Sequence, residues 1–182
     1  MPDDPVPTED PETRAQQICL RLLTLAPRTR AQLADALRRR GISGDVAEGV
    51  LGRFTDVGLI DDAAFAKAWV ESRHYSRGLA GRALKAELRK QGVDDEQTRE
   101  AVAGLDPDVE VATARRLVER KLAGTRGQPP QARARRLAGM LARKGYPPGL
   151  AYRVIREAME AEGADAVLDD EPPFDDLNSQ DP

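Results

Sequence analysis

One ten-residue pattern occurs three times in this chain of 182 residues, and it dictates most of what the chain can become. Leu33-Ala34-Asp35-Ala36-Leu37-Arg38-Arg39-Arg40-Gly41-Ile42 is matched by Leu84-Lys85-Ala86-Glu87-Leu88-Arg89-Lys90-Gln91-Gly92-Val93 and by Leu137-Ala138-Gly139-Met140-Leu141-Ala142-Arg143-Lys144-Gly145-Tyr146. Each copy holds a leucine, a second leucine four residues on, a polar or basic stretch, then glycine and an apolar residue. A four-residue spacing puts both leucines on one face of a helix. Gly41, Gly92 and Gly145 suit the left-handed position that closes a helix, where a side chain would clash. Repetition at a period of about 50 residues points to tandem units that bury their apolar faces together.

The flanks repeat as well. Nine and ten positions after each glycine stand Val50-Leu51, Ala101-Val102 and Val154-Ile155, marking a further helix in each unit. Ser43, Asp94 and the pair Pro147-Pro148 fit the starts of these helices. Upstream of each template runs another amphipathic segment, carrying Ile18, Leu22 and Leu25, then Phe65, Trp69 and Val70, then Val111, Ala114, Leu117, Val118 and Leu122. Thr29 with Gln32 reads as a capping box, Asp61 or Asp62 as a cap for the helix of Phe65, and Asp106-Pro107 as the opening of the next. The expected fold is all-α, with three tandem three-helix repeats in an elongated, curved arrangement. Its boundaries fall at 15–60, 61–105 and 106–162. The Gly124–Pro130 stretch interrupts the third repeat as a loop.

Composition agrees with a modular shape. Hydrophobic residues make up 40% of the chain, aromatics only 4% and charged residues 32%, too little bulky apolar material for one deep core. The net charge of −3 conceals a division. Residues 1–14 carry five acids against Arg14, and residues 160–182 carry nine acids and no base, which leaves +10 on the residues between. Both ends, 1–14 and 163–182, are expected to be disordered acidic tails. One tail hypothesis is that the C-terminal acids fold back onto the basic face. No run approaches the roughly 18 apolar residues of a membrane span, and the N-terminus lacks a signal-peptide pattern, so a cytoplasmic protein without a membrane partner is expected. Because exposed apolar stripes are few, a monomer is expected.

Candidates for chemistry are few. His74 is the only histidine, which leaves a triad or a histidine-rich metal site without material; it reads as a surface or half-buried structural residue. Cys19, the only cysteine, sits among Ile18, Leu20, Leu22 and Leu23 and reads as buried packing. Gly78-Leu79-Ala80-Gly81 lacks the ending of a phosphate loop and reads as a connection between helices. Trp69, four residues after Phe65, reads as core or interface, with core the preferred role. No enzyme, cofactor or metal site is expected.

The basic residues carry the functional signal. Arg38-Arg39-Arg40, Arg89-Lys90 and Arg143-Lys144 fall in the last turn of their helices, where cations complement the dipole. That does not account for Arg82, Lys85, Arg115, Arg116, Arg120, Lys121, Arg133, Arg135 and Arg136. A basic, arginine-dominated middle points to a polyanionic partner: nucleic acid, or the acidic face of a protein assembly. Arg82, Lys85, Arg89, Lys90, Arg115, Arg116, Arg120, Lys121, Arg133, Arg135, Arg136, Arg143 and Lys144 are therefore the candidate partner- or DNA-binding residues. Charge reversal at Arg133, Arg135 and Arg136, or at Arg82 and Lys85, is expected to weaken binding without unfolding.

Leu59-Ile60-Asp61-Asp62, Phe65-Ala66, Trp69-Val70, Arg73, Gly78, Leu84, Glu87-Leu88 and Gly92, with the repeated template and Arg120-Lys121-Leu122, resemble the RecX family of regulatory proteins over roughly residues 15–160. In this family's pattern Asp61, Asp62, Phe65, Trp69, Gly41, Gly92 and Gly145 are structural. The resemblance implies a modulator, mainly an inhibitor, of the RecA recombinase. It would bind the RecA filament on single- or double-stranded DNA, partly through DNA phosphates, and restrain ATP hydrolysis, strand exchange and filament growth. It would thereby regulate DNA repair and recombination. Tyr146-Pro147-Pro148 departs from the pattern in the third repeat. A helix-turn-helix or winged-helix transcription regulator is the alternative, since Leu33 through Ile60 has that cadence; a wing requires two strands after Ile60.

Overall fold

A computed structural model describes residues 10–163, so most of both acidic tails, 1–9 and 164–182, and with them the proposed folding back of the C-terminal acids, lie outside the described residues. Among the described residues the chain forms nine α-helices and one short 3-10 turn, with no strand. They are α1 (Pro11–Leu25), α2 (Arg30–Arg39), α3 (Gly44–Asp56), α4 (Asp62–Arg77), α5 (Gly81–Lys90), α6 (Asp95–Ala103), α7 (Pro107–Leu122), the 3-10 turn Ala123–Thr125, α8 (Pro130–Arg143) and α9 (Pro148–Ala161). This is the all-α, thrice-repeated three-helix order. After Ile60 the chain enters α4 directly, which removes the winged-helix alternative.

The template is a helix ending, written three times. Gly41, Gly92 and Gly145 have φ of +75°, +82° and +89°. In each case the residue after glycine donates its N–H back to the second template leucine: Ile42 to Leu37 O at 3.2 Å, Val93 to Leu88 O at 3.1 Å, Tyr146 to Leu141 O at 3.1 Å. The glycine N–H reaches Arg38 O, Arg89 O and Ala142 O at 3.0, 2.9 and 2.9 Å. These paired bonds satisfy carbonyls the helix leaves free, and the apolar residue after glycine packs back on the helix it has just left. Leu37, Ile42, Leu88, Val93, Leu141 and Tyr146 are all buried.

Starts follow local chemistry with three adjustments. Residues 11–14, expected in the N-terminal tail, are the first turn of α1: Asp10 accepts the N–H of Thr13 at 3.1 Å and Pro11 supplies a preset φ. Ser43 precedes α3, but its hydroxyl makes no capping bond. The adjacent aspartates divide their work. Asp61 caps α4 by accepting the N–H of Ala64 at 2.8 Å, whereas Asp62 turns away to another helix.

Two compact units emerge from the packing, and the boundary between them falls inside the second repeat. Among the described residues one comprises 10–69 with Leu88–Ala101, the other Val70–Glu87 with 102–163. In the first unit, α1, α2 and α3 close over Cys19, Leu33, Leu37, Val50, Leu51, Phe54 and Ile60. Burial raises the pKa of the Cys19 thiol, in keeping with a packing role. In the second, α7, α8 and α9 close over Leu117, Val118, Leu122, Leu137, Leu141, Tyr146, Val154, Ile155 and Met159.

Each unit also contains one joint between successive repeats. In the first unit the joint fastens the start of α2. The Thr29 hydroxyl donates to Gln91 O at 2.7 Å, the Arg30 N–H donates to Asp62 Oδ1 at 2.9 Å, and Gln32 Nε2 donates to Gln91 Oε1 at 2.7 Å. In the second unit the equivalent joint fastens the start of α5: Ala80 N–H donates to Lys144 O at 2.8 Å and Gly81 N–H to Glu110 Oε1 at 3.1 Å. Both joints use the carbonyl just before the template glycine and a carboxylate from the first helix of the following repeat. Both satisfy amides that a helix start leaves open.

Candidate polyanion-binding cleft

The second joint assembles a basic cleft inside the second unit. Docking the end of α8 on the start of α5 sets the Lys144 backbone against Ala80. The Lys144 ammonium then reaches across the end of α4 and donates to Arg77 O at 2.6 Å. The Tyr146 hydroxyl donates to Gly78 O at 3.0 Å, and its pKa is raised by burial and by the nearby Glu110 carboxylate. Gly78, at φ +62°, is buried against α7: a Cβ there would meet Leu117 Cδ1 at 3.0 Å and Thr113 Cγ2 at 3.3 Å.

Behind the wall stands His74. It is buried, deeper than the surface or half-buried position expected from sequence, because both ring nitrogens find partners inside: Nδ1 lies 2.8 Å from Leu79 O and Nε2 3.0 Å from Thr113 Oγ1. A carbonyl can only accept, so Nδ1 carries a proton, while Nε2 shares a hydrogen bond with the threonine hydroxyl, a group able to donate or accept. Thr113 Oγ1 in turn accepts from Arg116 Nη2 at 3.0 Å, so the histidine indirectly orients an arginine of the cleft.

The cleft holds about 600 Å³. Its charged lining is Arg77, Arg116, Arg120, Lys144 and one acid, Glu119; Leu79 and Leu117 supply the apolar floor and Tyr75 one edge. A second hollow of about 420 Å³, lined by Leu117, Arg120, Lys121, Met140 and Lys144, adjoins it through shared residues. The cations already repel one another. The Lys144 pKa is lowered first by desolvation and then by the charges of Arg120 and Arg77. An anion placed among them removes that repulsion.

Of the thirteen candidate cations, the cleft and its neighbour gather Arg116, Arg120, Lys121 and Lys144. Arg133 is not available. It is 7% exposed, its Nε donates to Thr125 Oγ1 at 3.0 Å, and its guanidinium pairs with Glu162, whose pKa it lowers. Charge reversal there would bury an unpaired carboxylate, so the expectation that it leaves the fold intact is corrected. Arg115 pairs with Glu157 at 3.0 Å, Arg89 with Asp95 at 2.7 Å, and Arg82 donates to Ala142 O at 3.2 Å. Lys90, Arg135, Arg136 and Arg143 are exposed and Lys85 half-buried, all outside the cleft. Arg77 is the cation sequence reading missed; its place in the last turn of α4, just before Gly78, was the available signal.

Trp69, expected in the core or at an interface, is half-buried and stacks on Phe65 with ring centroids 5.5 Å apart. Phe65 is half-buried as well, and Ala66 and Val70 supply the buried positions of α4 beside the stack. Among the described residues no group of three or more His, Cys, Asp or Glu residues is placed to hold a metal ion, and no helix is long and apolar enough to cross a membrane.

Tandem three-helix units, tied by recurring joints and opening on a basic cleft, define a helical-repeat protein. Models of the first, second and third three-helix domains of RecX match residues 15–54, 61–102 and 108–155. The chain belongs to the RecX family of regulatory proteins. It is 64% identical over 157 residues to the regulatory protein RecX of Thermobifida fusca, covering 86% of this chain and 85% of that one. With the RecX of Streptomyces coelicolor it shares 60% identity over 159 residues, 87% and 85% of the two chains. The crystal structure of RecX from Lactobacillus salivarius superposes with a TM-score of 0.78 over 81% of this chain and 96% of that one, at 22% identity, which shows a shared fold.

Proposed function

We propose that this protein binds the RecA recombinase filament on DNA and restrains it, lowering ATP hydrolysis and strand exchange and limiting filament growth. Family membership supports the regulatory role, and the single observation that supports a polyanionic partner is the cleft of Arg77, Arg116, Arg120 and Lys144. Their mutual repulsion is relieved when a phosphate enters, and each phosphate neutralised releases counterions from the nucleic acid. The protein acts by occupancy. Its three repeats, 15–60, 61–105 and 106–162, act as a monomer in the cytoplasm.

The test adds purified protein to the cognate recombinase on single-stranded DNA with ATP and follows hydrolysis and filament length. Slowed hydrolysis and shorter filaments are expected; unchanged traces at saturating protein refute the proposal. Reversing Arg116 and Arg120 to glutamate should weaken DNA binding and flatten its salt dependence by roughly 1.4 in logarithmic slope for single strands. Both side chains are exposed, so the variant should keep its helical circular dichroism.

A further inference from the structure

Tyr75 is the feature the phosphate reading leaves unexplained. It is 94% exposed, the largest exposure among the described large hydrophobic residues, and it borders the cleft rather than the core. An exposed ring beside cations can exploit a planar ligand, because a base stacked on tyrosine removes apolar surface from water on both partners. The cleft volume of about 600 Å³ lies in the range of small-ligand sites, room for one nucleotide and far too little for a duplex. In a duplex the bases are paired and stacked on each other, so none is free to meet Tyr75. An acidic protein helix would satisfy the cations and leave the ring in water.

We propose that the cleft is a single-strand nucleotide site: Arg116, Arg120 and Lys144 hold a backbone phosphate, and Tyr75 stacks on the attached base. This rests on the polyanion reading above and adds the class of ligand. Arg77, tied into the same wall, contributes charge. The site favours unpaired strand without reading sequence, since every base offers a stacking face.

The test measures anisotropy of a labelled oligothymidine and of an abasic strand with the same number of phosphates, against the full-length protein and three variants. Tyr75→Ala should weaken oligothymidine binding by about 5-fold to 100-fold, as one stacked base is worth in comparable sites, and Tyr75→Phe should stay within about twofold. The abasic strand should bind the unmodified protein more weakly than oligothymidine does and should not distinguish Tyr75→Ala from it. Equal binding of oligothymidine by Tyr75→Ala and the unmodified protein overturns the inference, as does equal affinity for the two strands. Arg120→Ala separates the two readings. If it weakens both strands while Tyr75→Ala weakens neither, the phosphate reading stands and stacking falls; if it weakens neither strand, the phosphate reading falls too. A polyglutamate that displaces oligothymidine at equal charge concentration would also overturn the inference, in favour of an acidic protein face.

Discussion

The two joints perform one task with different chemistry. At the first, the fastening of α2 runs through side chains: the Thr29 hydroxyl, the Gln32 amide and the Asp62 carboxylate. At the second, the fastening of α5 relies on backbone amides of Ala80 and Gly81, and the only side chain in those two bonds is Glu110. The template glycines differ accordingly. A Cβ on Gly41, which belongs to no joint, would meet nothing within 4 Å. On Gly92 it would overlap the Cβ of Ala31, and on Gly145 it would overlap the Ala83 backbone N–H, with Ala83 Cβ at 2.7 Å and Ala80 O at 3.0 Å. Three glycines with the same φ sign therefore carry three different loads. A repeat conserves the shape of a helix end more readily than the atoms that grip it.

That ordering can be broken by measurement. Gly145→Ala should have the largest effect, roughly 3–5 kcal/mol lost in urea unfolding, because left-handed strain adds to overlap with backbone that cannot yield. Gly92→Ala should cost about 2–3 kcal/mol, and Gly41→Ala only the strain of about 1–2 kcal/mol. Equal losses at all three positions would show that the joints add nothing. The comparison is sharpened by adding Ala31→Gly to Gly92→Ala. Removing the overlapping methyl should recover about 1 kcal/mol relative to the sum of the single changes, whereas additivity would place the clash elsewhere.

Tyr146→Phe removes the bond to Gly78 O and should cost about 1 kcal/mol while loosening the cleft wall. Asp62→Asn should have the smallest effect, visible mainly as a pH dependence. Burial raises the Asp62 pKa ahead of the opposing bond from Arg30 N–H. A carboxyl whose folded pKa lies above its unfolded value binds more protons in the folded state, so its contribution falls as pH rises through the interval between the two. Asparagine keeps an acceptor for Arg30 N–H and does not titrate. The stability of the unmodified protein relative to Asp62→Asn should therefore fall as pH rises from the ordinary aspartate range. A difference constant with pH would contradict the burial of that charge.

What sequence alone made legible was whatever lies within about one helical turn. The capping box of Thr29 and Gln32, the caps of Asp61, Asp94 and Asp106, and the three glycine endings all join residues no more than five apart, and repetition exposed them. The cleft was half legible. Charge arithmetic picked out Arg116, Arg120, Lys121 and Lys144, but nothing local distinguished them from Arg133, which a buried bond to Thr125 and an ion pair with Glu162 consume. His74 misled for the same reason: its partner Thr113 stands 39 residues away.

Only tertiary structure decided which glycine bears a joint, why Asp62 serves α2 while Asp61 serves its own helix, and which cations converge. The bonds that settle these points span 62 residues from Thr29 to Gln91, 32 from Arg30 to Asp62 and 68 from Tyr146 to Gly78. The reason is physical. Capping and helix periodicity are set by backbone geometry within a few residues, so composition and spacing encode them directly. A joint forms only when two completed helices meet, and any polar atom that fits the open amides of a helix start will serve.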